Sequence, residues 1–113
     1  MEKNIYTVKL LDIIIPQSGT GKDDDFDSIF LVMTLGSGDL NKTLNNTPKT
    51  ILKSLHLKTL LYNQLCCLNF IHSAGIIHRD IKPGNFLVDQ YCRVLVCDFG
   101  LSRIIPEKVE YDK

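Results

Sequence analysis

The sequence predicts an α+β chain, and three observations carry that expectation. Two apolar, β-prone runs lie in the N-terminal third, at residues 6–15 and 28–35. Leu57, Leu60, Leu61, Leu65, Leu68 and Ile71 recur at three- and four-residue steps, the spacing of one helical stripe. Two short Val- and Leu-rich runs, 86–88 and 94–97, flank a turn and read as a strand pair. At 113 residues the chain has the size of one modest domain, and at 44% hydrophobic and 23% charged it has a globular composition.

The elements follow in order. Residues 6–15 are rich in Val, Leu and Ile and end at Pro16, which reads as a buried strand. Residues 17–27, with two glycines and four aspartates, make a polar loop. A second strand over 28–35 is broken by Gly36, Ser37 and Gly38. Asp39 is placed to N-cap a short helix carrying Leu40 and Leu44. The long helix should run over 53–74 and stop at Gly75, a C′ residue. Residues 75–85 mix charges with Pro83 and Gly84, so a loop is expected there. After the strand pair, the tail from Ser102 is polar and shows no structural stop.

Charge excludes some functions. Thirteen Lys and Arg balance thirteen Asp and Glu, which argues against a nucleic-acid partner or an anionic membrane surface. No run reaches the ~18 apolar residues of a membrane span. The start Met1, Glu2, Lys3, Asn4 has no apolar leader core. The expectation is an intracellular protein, cytoplasmic or nuclear. Cys66, Cys67, Cys92 and Cys97 form no C-x-x-C pair, so reduced thiols are expected.

Two motifs fail on inspection. Gly19, Thr20, Gly21 and Lys22 have the look of a phosphate loop, but Pro16 stands where its first glycine belongs and Asp23 where its Ser or Thr belongs. Asp23, Asp24 and Asp25 lack the alternation, central Gly and closing Glu of a calcium loop.

The strong signal is His78, Arg79, Asp80, Ile81, Lys82, Pro83, Gly84 and Asn85, followed by Asp98, Phe99 and Gly100. It resembles the H-R-D-x-x-x-x-N loop and D-F-G triplet of eukaryotic protein kinases, with seven identities in order. Phosphoryl transfer needs positioning and charge neutralisation more than covalent help, and the residue types suit that need. The resemblance implies that Asp80 orients the substrate hydroxyl and that Lys82 stabilises the transferring phosphoryl. It implies that Asn85, through its carbonyl oxygen, and Asp98, through its carboxylate, hold Mg2+. His78 and Phe99 are implied as packing residues, and Arg79 as the arginine that meets a phosphorylated activation loop.

The same resemblance implies an adenine site. Met33 would stand at its back, and the Thr34 carbonyl and Gly36 amide would bond the base. Asp39 would reach the ribose, and Leu87 would pack beneath the ring. Lys82 and Pro83 after Ile81 are the Ser/Thr-kinase form. Phe30 to Met33, Gly38 to Leu40 and Ile71 to Gly75 look like a mitogen-activated or cyclin-dependent kinase, whereas Asn85, Phe86 and Leu87 are similar to casein kinase 1.

The implied fold is a partial kinase domain. Residues 1–35 would be late N-lobe strands, and 36–113 the hinge exit and early C-lobe up to the start of the activation loop. The implied function is a segment of an ATP-dependent Ser/Thr protein kinase that uses Mg2+ and a protein substrate. These residues contain no Gly-rich loop, no V-A-I-K strand and no A-P-E, so the 113 residues alone are expected to be inactive. Val109, Glu110 and Tyr111 lack the Thr of a T-x-Y motif. The alternatives are a truncated, non-catalytic binding module and a small-molecule phosphotransferase.

Overall fold

The computed structural model describes residues 4–16 and 28–105. The polar loop expected over 17–27, with its glycines and aspartates, lies outside them, as does the tail 106–113. Among the described residues the chain is α+β, as expected. In chain order it has β1 (Leu10–Ile14), β2 (Phe30–Met33), β3 (Gly38–Asp39), α1 (Leu40–Asn46) and α2 (Ser54–Ser73). Then follow β4 (Ile76–Ile77), a 3-10 turn (Pro83–Asn85), β5 (Phe86–Val88), β6 (Val94–Val96) and β7 (Arg103–Ile104).

β1 and β2 form an antiparallel ribbon pairing Leu10 with Met33 and Ile14 with Phe30. The register shifts between Leu10 and Asp12, which leaves Leu11 as the extra residue of a bulge. Every residue of both strands is exposed. This corrects the expectation of one buried strand over 6–15. A two-stranded ribbon buries a face only if another layer covers it, and none of the described residues lies over this one. The run also divides. Tyr6 to Val8 leaves the ribbon and lies along the open edge of β6, where Val8 N–H donates to Val96 O (3.1 Å) and Val96 N–H to Tyr6 O (2.9 Å).

The central sheet runs β3-β5-β6, antiparallel throughout. β5 and β6 alternate buried, half-buried, buried, so Phe86, Val88, Val94 and Val96 face one side. α2 covers that side with Leu60, Cys67 and Ile71, and Leu40 of α1 completes the core. The Cys67 thiol donates to Val94 O at 3.2 Å, and burial pushes its pKa up to about 11. The β5–β6 turn is tied by Arg93 Nε to Asp89 Oδ2 (2.6 Å) and by Asn63 Nδ2 to Cys92 O (2.7 Å).

The helices begin and end where the sequence signals them. Asp39 caps α1 by accepting Lys42 N–H at 2.8 Å. α2 lies between Lys53 and Ala74, and Gly75 follows in the left-handed region at φ 69°. The expected stripe is only partly buried: Leu60 and Ile71 are in the core, while Leu57, Leu61 and Leu65 are exposed. Steps of four residues advance about 40° around a helix, so Leu57, Leu61 and Leu65 drift off the face that meets the sheet. Cys67 takes the place they leave.

Two further corrections concern short pieces. β4 lies inside the segment expected to be a loop, and β7 lies in the tail read only as polar. They pair antiparallel, Ile76 with Ile104, and Ile105 N–H extends the ladder to Gly75 O at 2.7 Å. Two-residue strands are too short for a period-2 pattern to show.

Candidate active site

Residues 78–85 and 97–101, which flank β5 and β6 in the chain, form one polar knot. Lys82 Nζ donates to Asp80 Oδ2 at 2.7 Å. Asn85 Nδ2 donates to the same oxygen and to the Asp80 carbonyl, each at 2.8 Å. The Lys82 ammonium, and then the Asn85 amide, hold the Asp80 carboxyl below the usual carboxylate range. The same pairing raises the Lys82 ammonium, with Asp98 adding its field. Asp80 is therefore an ionised acceptor with a fixed direction.

Local geometry explains why these three meet. The 3-10 turn brings Asn85 back over the loop, with its N–H bonded to Lys82 O at 2.9 Å. Its carbonyl accepts Cys97 N–H at 2.9 Å, which ties the loop to the end of β6. The side chain of Asn85 is buried, and its amide nitrogen is committed to Asp80. The carbonyl oxygen is thereby the end left for a ligand. Asp98 stands directly after Cys97, exposed, at φ 62°. Its Oδ1 accepts Gly100 N–H at 3.3 Å, and a Cβ at Gly100 would sit 3.2 Å from it. Arg79 is also left-handed, at φ 66°, and its Nε donates to Leu101 O at 2.6 Å. Each such residue costs about 1–2 kcal/mol, and side-chain bonds on both flanks offset that strain.

The oxygen donors suit a hard cation. No cluster of three or more His, Cys, Asp or Glu side chains arranged for a metal is found among the described residues. Asn85 and Asp98 offer one neutral and one charged oxygen donor. That is the sparse protein ligation Mg2+ takes when phosphates and water complete its shell.

The candidate nucleotide residues fall into two groups. Gly36, Asp39 and Leu87 lie together at the β3–β5 pairing, where Asp39 is opposite Leu87. A Cβ at Gly36 would be 2.9 Å from Leu87 Cβ, so only glycine fits there. The Lys42 N–H holds the Asp39 carboxyl low. Thr34 lies against the β1 side, its N–H bonded to Lys9 O at 2.9 Å. Met33 ends β2 with its side chain exposed. A cavity of about 660 Å3 touches Thr34, Gly36 and Leu87, together with Lys9, Tyr91 and Arg93. It reaches none of Asp80, Lys82, Asn85 or Asp98. Among the described residues, the polar knot is where a carboxylate, an ammonium and an amide interlock.

Burial, then Asp98, then Asp39 raises the Cys97 thiol. Sequence reasoning gave His78 only a packing role and Arg79 only a phosphate. The structure adds their backbone bonds, which depend on carbonyls some twenty positions away and leave no trace in local spacing.

Fold and site together fit a segment of the protein-kinase class, and the comparison with known families agrees. The chain belongs to the protein kinase domain family, whose pattern matches residues 6–113. It is 43% identical over 105 residues to mitogen-activated protein kinase MKC1 of Candida albicans, covering 93% of this chain and 20% of that one. It is 41% identical over 102 residues to serine/threonine-protein kinase NLK2 of Xenopus laevis, covering 90% and 22%. With mitogen-activated protein kinase spm1 of Schizosaccharomyces pombe it shares 38% over 108 residues, covering 96% and 24%. The chain thus spans about a fifth to a quarter of the length of these relatives.

Proposed function

We propose that these residues form the hinge-exit and catalytic-loop segment of a Ser/Thr protein kinase, which moves the γ-phosphoryl of ATP to a protein hydroxyl. The observation that carries the reading is the interlock of Asp80, Lys82 and Asn85. Asp80, ionised and aimed by two donors, accepts the hydrogen bond of the substrate hydroxyl and turns its oxygen in line. Lys82 balances that carboxylate at rest and faces the phosphoryl charge during transfer. Asn85 and Asp98 hold the cation through their oxygens. Bound Mg·ATP supplies the phosphoryl group and the positive charge that neutralises it. Gly36, Thr34 and Leu87 border the base, Asp39 the ribose, and Met33 the back of that site. Residues 1–35 belong to the upper lobe of this arrangement and 36–113 to the lower.

The names of the relatives support Ser/Thr specificity and a mitogen-activated character. Four free cysteines support an intracellular setting, cytoplasmic or nuclear. Among the described residues, no helix is long and apolar enough to cross a membrane. The 113 residues alone are proposed to lack transferase activity. They contain no Gly-rich phosphate loop or V-A-I-K lysine, and the whole β1–β2 ribbon is exposed.

The test is phosphate transfer from Mg·ATP to a generic protein substrate by the full-length protein. Asp80→Asn should lower kcat by about 10²–10⁴, the range of a positioned acid–base group. Turnover at the unaltered rate would sink the assignment.

A further inference from the structure

Acidic side chains stop at Asp39 and resume at Asp80: residues 40–79 contain no Asp and no Glu. The same stretch carries Lys42, Lys49, Lys53, Lys58 and Arg79. The even charge balance of the whole chain therefore hides a local excess of cations. The four lysines lie on α1, on the connection 47–53 and on the first two turns of α2, and all four are exposed. Lys42 meets Asp39 at 3.5 Å, and among the described residues no carboxylate pairs with the other three.

Apolar side chains alternate with these cations. Leu44, Ile51 and Leu55 each stand two positions after a lysine, and all are exposed, Ile51 by 59% and Leu55 by 71%. The backbone beneath them is fixed. Thr47 N–H donates to Thr43 O at 3.2 Å, Ile51 N–H to Pro48 O at 2.9 Å and Lys53 N–H to Ile51 O at 3.0 Å. Leu40 and Leu60, both in the core, pin the helices on either side of this corner. A surface ordered before binding loses less entropy when a partner arrives.

A partner for the corner must supply carboxylates to the lysines and apolar side chains to Ile51 and Leu55. We propose that the α1–α2 corner docks an acidic peptide segment of another protein, one in which Asp or Glu alternates with Leu, Ile or Val. Asn46 and Thr50 add amide and hydroxyl groups for the backbone of such a peptide. Two other polyanions fit less well. A single-stranded nucleic acid needs aromatic platforms, and residues 40–61 contain no Phe, Tyr or Trp. An anionic bilayer needs a helix with a strongly basic polar face, and Lys58 is the one Lys or Arg in the twenty residues of α2. Docking here stands whether or not the phosphoryl-transfer reading holds, because none of these residues belongs to the knot around Asp80.

The test is binding of a fluorescent peptide that repeats Glu, Glu, Leu to the full-length protein, read by anisotropy. Binding should weaken as salt is added, since exposed charges are screened. Lys49→Glu combined with Lys53→Glu should weaken it about tenfold, the scale of two exposed ion pairs turned to repulsion. Ile51→Asn should weaken it about threefold, through lost apolar contact. Arg103→Glu, which removes an exposed cation on β7, should leave it unchanged. Without any substitution, the peptide should slow hydrogen exchange at the amides of residues 49–53. Absence of binding overturns the proposal. So does an equal loss with Arg103→Glu, which would mean attraction by net charge alone, and so does equal binding of a peptide that repeats Lys, Lys, Leu. Phosphatidylserine vesicles or a single-stranded oligonucleotide that bind through Lys49 and Lys53 more tightly than the acidic peptide would also overturn it.

Discussion

The tripeptide Phe-Leu-Val occurs twice in this chain, as Phe30, Leu31, Val32 in β2 and as Phe86, Leu87, Val88 in β5. Both copies sit in antiparallel hairpins. Phe30 is 57% exposed and Phe86 1%. The same letters make strands in both places, because β-branched and aromatic residues suit a pleated backbone. What separates them is the layer across the way. α2 and Tyr6 to Val8 enclose β5–β6, whereas the described residues put nothing over β1–β2. Sequence pattern settles the strand, and the third dimension settles the burial. The extended shape agrees: the radius of gyration is 18.6 Å, against about 13 Å for a compact chain of this length.

Truncating the two phenylalanines is the sharpest way to test that contrast. Phe86→Ala should cost the chain about 3–5 kcal/mol, the usual toll of an aromatic cavity. Phe30→Ala should cost the 113-residue chain no more than about 0.5 kcal/mol, as at other exposed sites. Urea midpoints of the two variants read the difference. If the full-length protein shows a large Phe30 penalty, the excess measures the cover that further chain puts over β1–β2. Equal penalties in the 113-residue chain would remove the contrast.

A smaller effect is expected where the upper residues meet the sheet. Gly36→Ala puts a methyl 2.9 Å from Leu87 Cβ, so the segment must back away from β5. The expected loss is about 1–3 kcal/mol, the cost of overpacking. Gly38→Ala meets nothing within 4 Å and serves as its control. A thermal melt in which both behave alike would show that Gly36 and Leu87 do not touch.

The smallest effect concerns charge. The Asp80 carboxyl is held below its reference value of 3.8, so its contribution to stability is present above 3.8 and lost as pH falls through the lowered value. The Lys82 ammonium is held above 10.5, so its contribution is present below 10.5 and lost as pH rises through the raised value. Between those limits the pair stays charged. Lys82→Met should lower the melting temperature slightly at neutral pH, and the gap should close in acid below 3.8. A gap that persists there would mean that the stem of Lys82, and not its charge, supplies the effect.

Much of this was legible from residue order. α2 could be bounded within a residue or so because its period is strong and Gly75 stands at its end. Asp39 announced α1 by its type and place. Asp80, Lys82 and Asn85 lie within five positions of one another, so the motif already contained their neighbourhood. The rest was not legible for physical reasons. β4 and β7 are too short for periodicity. The exposure of Leu57, Leu61 and Leu65 follows from which face of α2 the sheet meets, and six leucines and isoleucines in a row of turns do not say which. The contact of His78 Nε2 depends on a carbonyl nineteen residues away.

The bridge between Thr7 and Val96 has a consequence for the order in which the chain folds. Its partners are 96 − 7 = 89 positions apart. Closing a loop of that length costs entropy that grows as the logarithm of its length, before any contact repays it. The β5–β6 hairpin and the turn that seats Asn85 join residues only a few positions apart and can close within microseconds. The knot around Asp80 therefore belongs to the early, local part of folding, and residues 6–8 join the β6 edge afterwards. Pulse-labelled hydrogen exchange should find the amide of Asn85 protected before that of Val8. Until the late strand arrives, β6 presents an unpaired edge, the feature by which half-made sheets capture one another.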